Sequence, residues 1–364
     1  VAAFFLLRSP VVLAAPSPSG SAEKPAADAT KSIAVLPFDN LSDDKANAFL
    51  ADGIHEEILT NLADIAALRV ISRTSVMQYR GTAKTVGQIA QELGVEYVLE
   101  GSVRRVGQKV RVTGQLIRAA NDQDIWAKAY DGDLSDILAL QAQVATVIAE
   151  QLKAVLTPAE AKRLNAVTLA NPAAYELYLR GRELRRREKD VMQPDPAAEA
   201  LFKRATELDP KFVLPWAELA RLHVERYFGD QSQAAERDLA KQALDWAVTL
   251  APDRGEEEAA LGEYYYYGFA DYASAAMHYT KALTLMPSDA KVHHLHGLLA
   301  RRQGRWRDSL KELREAYALD PRNREFVRAL RTTLSMVRDY PAAKAICLAQ
   351  QQVEPDDLGW QTDV

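Results

Sequence analysis

The chain has 364 residues, enough for two domains of ordinary size, and its 48% hydrophobic and 26% charged residues fit a well-packed soluble protein. A net charge of −5 and an isoelectric point near 5.8 exclude an overall basic field for gripping nucleic acid. The single cysteine, Cys347, excludes an internal disulfide framework and any multi-cysteine metal centre.

Residues 1–15, VAAFFLLRSPVVLAA, are apolar but interrupted by Arg8, Ser9 and Pro10. A straight membrane span needs roughly 18 apolar residues, so this stretch cannot cross a bilayer alone. It reads as the end of a membrane helix or as the apolar part of a signal peptide, with an exit near Ala14 and Ala15. A disordered apolar tail is the plain alternative. Residues 16–31 are rich in Pro, Ala, Ser and charge, cannot pack a core, and read as a tether.

Residues 32–156 then form the first domain. SIAVLPF, ended by Pro37, is a short buried strand. Ala46, Phe49, Leu50, Gly53, Ile54 and Ile58 recur at helical spacing and make one apolar face. LRVIS at 68–72 is a second buried strand. Thr85 and Gln88 have capping-box spacing before Ile89, Ala90 and Leu93, and Gly94 closes that helix. From Glu96 to Arg118 the chain reads as two strands around Gly107 and Gln108, with glycine where a type II′ hairpin needs it. DIWAKAY at 124–130 is a further strand, with Ile125 and Ala127 opposite Trp126 and Lys128. Ile137, Leu140, Val144, Ile148 and Leu152 mark a long amphipathic helix. The order β-α-β-α-β-β-β-α predicts an α/β domain, a mixed sheet with helices.

The blocks SIAVLPFDNLS, VISRTSVMQYRG, YVLEGSVRRVGQKVRVTGQLI and IWAKAYDGDLSDILALQ, in that order, resemble the TolB-like amino-terminal domain of bacterial multidomain proteins. That resemblance implies a place behind a membrane helix and ahead of helical repeats. It also implies a neighbouring winged-helix, class III nucleotide cyclase or serine/threonine kinase domain.

Thr157, Pro158 and Glu160 start a connecting helix within 157–171, and Asn171 with Pro172 repeats the device. From there ATELDP (205–210) returns as AVTLAP, ALTLMP and AYALDP, and Pro210, Pro252, Pro287, Pro321 and Pro355 lie 42, 35, 34 and 34 residues apart. Trp216, Leu219, Ala220 and His223 precede Ala240, Leu244, Ala247 and Pro252. Gly297 precedes Ala300, Trp306, Ser309, Leu313, Ala316 and Pro321. These spacings resemble the tetratricopeptide (TPR) repeat, whose period is 34. About five repeats fit residues 172–355, with a tail at 356–364 and insertions around DVMQPD and YFGDQSQ. Each repeat is two antiparallel helices that bury their apolar faces only by stacking, so the second region predicts an all-α solenoid. In the fifth repeat Arg331 and Gln350 stand where small residues are usual.

Catalytic grammar is weak. GIHEEIL (53–59) begins like a zinc-protease helix, but Leu59 stands where the second histidine belongs. His293, His294 and His296 share part of a helix and read first as repeat packing, with a weak metal site the lesser alternative. The tyrosines of EYYYYGF (263–269) divide between core and groove. Cys347 reads as a buried structural thiol. No phosphate loop, dinucleotide fingerprint, nucleophile elbow or kinase loop set is present. The sequence therefore predicts no enzyme within this chain, no cofactor and no metal.

LRGRELRRREK (179–189) is the densest basic stretch. Alone it reads as a solvated helix face. Aligned on the repeat, it sends Tyr175, Tyr178, Arg182, Arg185 and Arg186 toward the concave groove. The same alignment places Arg221, Glu225, Tyr266, Tyr267, His294, Arg301 and Arg302 there. Arginine and tyrosine suit carboxylates and extended peptides, so the expected partner is a protein or peptide, acidic or C-terminal, bound in a salt-sensitive way. Nucleic acid is not expected, and oligomeric state is not legible. The leading expectation is an interaction scaffold or sensory module of a membrane-anchored bacterial signalling or transcription-regulatory protein. It would lie on the periplasmic side of the inner membrane, with the cytoplasm left open. The alternatives are the regulatory portion of a class III adenylate cyclase or serine/threonine kinase, and a free periplasmic assembly scaffold.

Overall fold

The computed structural model describes residues 31–165, 171–187, 194–230, 234–252 and 254–353. The apolar start, the tether, both expected insertions and the segment closing at Pro355 lie wholly or partly outside these residues. Among the described residues no helix is long and apolar enough to cross a membrane.

The first region is a mixed sheet with helices. β1 (Lys31–Val35) is central, because its Ile33, Ala34 and Val35 are apolar on both faces and fully buried. β2 (Asp39–Asn40) is a two-residue addition pairing with the fourth strand. α1 (Ala48–Ala63) follows, then β3 (Leu68–Val70), α2 (Arg73–Met77) and α3 (Val86–Leu93). The antiparallel run β4 (Tyr97–Val106), β5 (Lys109–Arg118) and β6 (Gln123–Asp133) leads into α4 (Ile137–Gln151). Strand order is β3-β1-β4-β5-β6, with β1 parallel to both neighbours. α1 and α4 cover one face through Ile54, Ile58, Val144 and Ile148, and α3 covers the other through Ile89 and Leu93.

Local signals act as expected. Thr85 and Gln88 form a reciprocal capping box, and Gly94 ends α3 at φ +64°. Gly107 turns the hairpin at φ +62°, Val106 pairs with Lys109, and Gln108 is not left-handed, as a type II′ turn requires. Two details differ. α2 escapes periodicity because five residues are too few to repeat a pattern. The strict alternation expected across 124–130 breaks at Ile125, where Leu116 pairs with Trp126 but Ile117 with Asp124, a bulge that holds one extra residue.

Beyond α5 (Pro158–Asn165) the described residues form five antiparallel helix pairs. They are α6 (Pro172–Arg187) with α7 (Pro196–Leu208), and α8 (Val213–Gly229) with α9 (Ala234–Leu250). α10 (Gly255–Phe269) with α11 (Tyr272–Leu285), α12 (Ala290–Arg302) with α13 (Trp306–Leu319), and α14 (Arg324–Met336) with α15 (Tyr340–Val353) complete the array. Side-chain oxygens of Asp195, Asp271, Asp289 and Asn323 cap starting helices. Four second helices stop two residues before Pro210, Pro252, Pro287 and Pro321, where proline can neither donate nor fit the preceding turn. Ala205, Ala247, Ala282 and Ala316 are fully buried at the stacking contacts. A Cβ added at Gly262 would lie 2.4 Å from Tyr279, so the paired helices there approach as only glycine allows.

One apolar core runs unbroken from the sheet through α1 and α4 into the first two repeats and the middle of α10. The third to fifth repeats bury separate clusters of their own.

Candidate interaction site on the concave face

α1 determines what the concave face can meet. Leu50, Ile54, Ile58 and Leu62 point to the sheet, so at 100° per residue Gly53, Glu56 and Glu57 turn outward, toward α6. Gly53 lets Leu179 of α6 pack directly on the helix backbone: an added Cβ would lie 2.4 Å from a Leu179 methyl. The two glutamates then enter the groove of the array.

There they meet the expected arginines. Arg182 pairs with Glu56, lies 3.5 Å from Glu57 and 3.6 Å from Glu218, and donates to the Tyr178 hydroxyl at 2.7 Å. Tyr178 donates to Glu57 at 3.2 Å. Arg186 donates to Glu56 at 2.7 Å, and Arg73 of α2 lies 3.7 Å from the same carboxylate. Burial alone would raise the Glu56 pKa, but Arg182, Arg186 and Arg73 outweigh it and hold the carboxyl at about 2. For Glu57 burial wins, and its pKa is raised.

Charges of alternating sign continue along the first helices. Arg221 lies 3.5 Å from both Glu218 and Glu263, and Lys291 donates to Glu263 at 3.0 Å. Arg185 pairs with Glu225. The concave ladder thus runs Glu56, Arg182, Glu218, Arg221, Glu263, Lys291 across first or facing helices. A cavity of about 490 Å³ lies between this ladder and α1, reaching His294 and Phe326.

The alignment's residues therefore divide. Tyr178, Arg182, Arg186 and Arg221 do line the concave side or its joint, but chain carboxylates already engage their polar groups. Tyr175 does not face the groove: it is fully buried, accepts a hydrogen bond from Gln141 of α4 at 3.0 Å, and packs on Tyr178 and Phe212. α6 buries two faces, one against α7 and one against the α/β region, and repeat spacing alone cannot show the second. Tyr267 packs edge-on to Phe228. His294 is buried, stacked on Phe326 and 3.2 Å from Glu325. Arg301 donates to Thr333 at 3.1 Å, while the exposed Arg302 donates to the Tyr266 hydroxyl and covers its ring.

A second contact closes the far side. Arg69 donates to the Ala318 carbonyl at 2.7 Å, the Ser72 amide to Leu319 at 2.9 Å, and Ser75 to Asp320 at 2.6 Å. Ser288 donates to the Leu68 carbonyl at 2.9 Å. Arg322 reaches the Tyr79 hydroxyl and Glu92, at 3.2 and 3.3 Å. The phrases that end the third and fourth repeats are thus hydrogen-bonded to β3 and α2.

The remaining candidates are committed elsewhere. His55 of GIHEEIL shares a hydrogen bond with the Val35 carbonyl at 2.9 Å, and burial lowers its pKa to about 4. His293 bridges Glu312 at 2.6 Å and the Pro287 carbonyl at 3.0 Å. Among the described residues, no three His, Cys, Asp or Glu side chains are grouped to hold a metal. Cys347 is fully buried. Sequence reasoning missed Glu56, Glu57, Glu218 and Asp320 as interface residues. The available signal was the adjacent pair Glu56 and Glu57 on the face of α1 opposite its apolar residues.

Residues 29–147 match a family profile described as "HilA/YgeH-like transcriptional regulator, second domain". A protein of Rhizobium meliloti (strain 1021) named "Putative adenylate cyclase 3" is 35% identical over 250 residues, covering 69% of this chain and 41% of that protein. The chain therefore spans less than half the length of that relative. The solved structure of TTC0263, a TPR protein of Thermus thermophilus, is 20% identical with a TM-score of 0.42, over 52% of this chain and 96% of that one. TolB from Acinetobacter baumannii is 19% identical with a TM-score of 0.29, over 36% of this chain and 30% of that one.

Proposed function

We propose that this chain is the regulatory, protein-binding region of a bacterial signalling protein whose output is a nucleotide cyclase, with catalysis outside these residues. The observation that carries the reading is the 35% identity to the Rhizobium protein, confined to 41% of that protein's length. An α/β domain joined to stacked helical repeats is suited to receiving a partner and relaying its presence through a shared interface. The TolB-like resemblance and the apolar start extend the reading to a sensory part on the periplasmic side, anchored through residues 1–15.

The partner site belongs on the open half of the concave face, around Tyr266, Arg301 and Arg302, because chain carboxylates already meet Arg182 and Arg186. An acidic peptide is the partner suited to Arg301 and Arg302. Arg301→Ala together with Arg302→Ala should weaken partner binding and flatten its salt dependence; unchanged affinity removes the groove assignment.

A second reading makes the output a transcription regulator, and it is favoured by the profile match over 29–147. Expressing the product of the whole reading frame that encodes these residues separates the two. Cyclic nucleotide formed from ATP or GTP by that product, but not by residues 1–364 alone, supports the cyclase reading. Sequence-specific DNA binding without cyclase activity supports the second. Cyclase activity in residues 1–364 alone would overturn the non-catalytic assignment.

A further inference from the structure

A second cavity, of about 440 Å³, lies inside the joint between the α/β region and the first two repeats. It is separate from the space along the ladder, although Glu57, Asp64 and Leu214 border both. Its walls come from four places: α1 and its end, α4 with α5, the connectors that close the first and second repeats, and the end of α11. α5 is pinned against the end of α1 because Glu160 accepts from the Ala66 amide at 2.8 Å while capping its own helix at Thr157.

Just over half of the wall is apolar, from Leu138, Leu164, Phe212, Val213, Leu250 and Leu285, and Lys162, Arg163, Lys211 and Arg254 border its polar part. Into this setting projects Gln141, which is fully buried. Its Nε2 donates to the Tyr175 hydroxyl at 3.0 Å, and its Oε1 has no partner. Asp64 Oδ1, also buried, lacks a partner as well. A buried acceptor left unpaired is costly, so Gln141 Oε1 marks a place for a donor that its own surroundings do not supply, while Arg163 Nε at the same wall is a buried donor likewise without a partner. Two of the neighbouring cations have partners in the chain: Arg254 donates to Glu256 at 2.7 Å, and Arg163 reaches the Asp64 carbonyl at 3.5 Å. Burial raises the pKa of both Glu57 and Asp64, which lowers the negative charge at the wall. A pocket of a few hundred Å³ that joins apolar walls to convergent polar groups is the usual form of a small-molecule site.

We infer that this cavity binds an uncharged small molecule with an apolar body and one hydrogen-bond donor, an N–H or O–H that reaches Gln141 Oε1. The site goes beyond the partner-binding reading and uses none of its residues. Bound there, the molecule would bridge α1, α4 and the first two repeats at the seam between the two regions.

Indole and 1-methylindole test it, since they share a body and differ in the donor. Titrated against the full chain by ligand-observed NMR, indole should bind saturably, and 1-methylindole roughly tenfold more weakly, the worth of one buried hydrogen bond. Gln141→Leu should bring the two probes to equal affinity. Because that change also breaks the bond to Tyr175, Leu138→Trp serves as a second variant: it fills the cavity from the α4 side, leaves Gln141 intact, and should abolish binding of both. Equal binding of the two probes to the native chain overturns the donor assignment. No saturable binding of either, or binding that survives Leu138→Trp, overturns the site.

Discussion

The α/β region meets the repeats twice, through contacts of different chemistry. At α6 the contact is a shared apolar core: Leu179 on Gly53, Phe212 between Tyr175 and Tyr178, with a half-buried Glu56 and Arg182 pair along its edge. At β3 and α2 it is a set of hydrogen bonds, given to the carbonyls and carboxylate that end the fourth repeat and received by the Leu68 carbonyl from Ser288 after the third. Apolar burial contributes stability in proportion to area, whereas each exchanged hydrogen bond contributes only about 0.5–1.5 kcal/mol net. The first contact is therefore a joint and the second a closure. A repeat array usually behaves as a one-dimensional stack. Here its first two repeats and part of α10 belong to the neighbouring domain's core, and its last two can part from that domain at lower cost.

The largest expected effect comes from breaking the joint. Phe212→Ala empties a site that is 2% exposed and should cost about 3–5 kcal/mol in denaturant unfolding. It should destabilise the α/β region and the first two repeats together. A loss confined to the repeats would separate what the shared core unites.

Next comes the ion pair. The folded Glu56 carboxyl sits at about 2, below its ordinary 4.5, so its contribution is present above pH 4.5 and is lost as pH falls toward 2. The shift corresponds to roughly 3 kcal/mol at neutral pH. Glu56→Gln should therefore lower Tm markedly at pH 7 and progressively less toward pH 3. A pH-independent difference between variant and parent would mean that packing, not charge, holds α1 in the groove.

The smallest effect belongs to the closure. Ser75→Ala removes the hydroxyl that donates to Asp320 and should cost about 1 kcal/mol. Its signature is faster amide exchange in α13 and α14 with α6 unchanged. Slower or equal exchange there would show that the hydroxyl does not hold the two regions together.

The limits of the sequence lie along the same divide. ATELDP and its echoes disclosed the repeats because helix stops and small stacking residues are local, and Thr85 with Gln88 disclosed a cap for the same reason. Of the residues that repeat alignment offers, Arg182 and Arg221 border the cavity beside α1. Their partners were not legible. Tyr178 meets Glu57 across 121 residues, and Ser75 meets Asp320 across 245. Periodicity names the buried face of a helix but not what lies against it. Tyr175 shows the cost: its spacing fits the groove, yet the second apolar face of α6 turns it into the joint.

Hydrogen exchange across the intact chain can decide whether the joint is a shared core, because it reads each helix's opening free energy. α1, α4, α6 and α8 should exchange through one cooperative opening with common high protection, and α12 to α15 through a separate opening of lower free energy. If α6 and α8 instead open with the later repeats, independently of α1 and α4, the joint is only a contact between two separately folded regions.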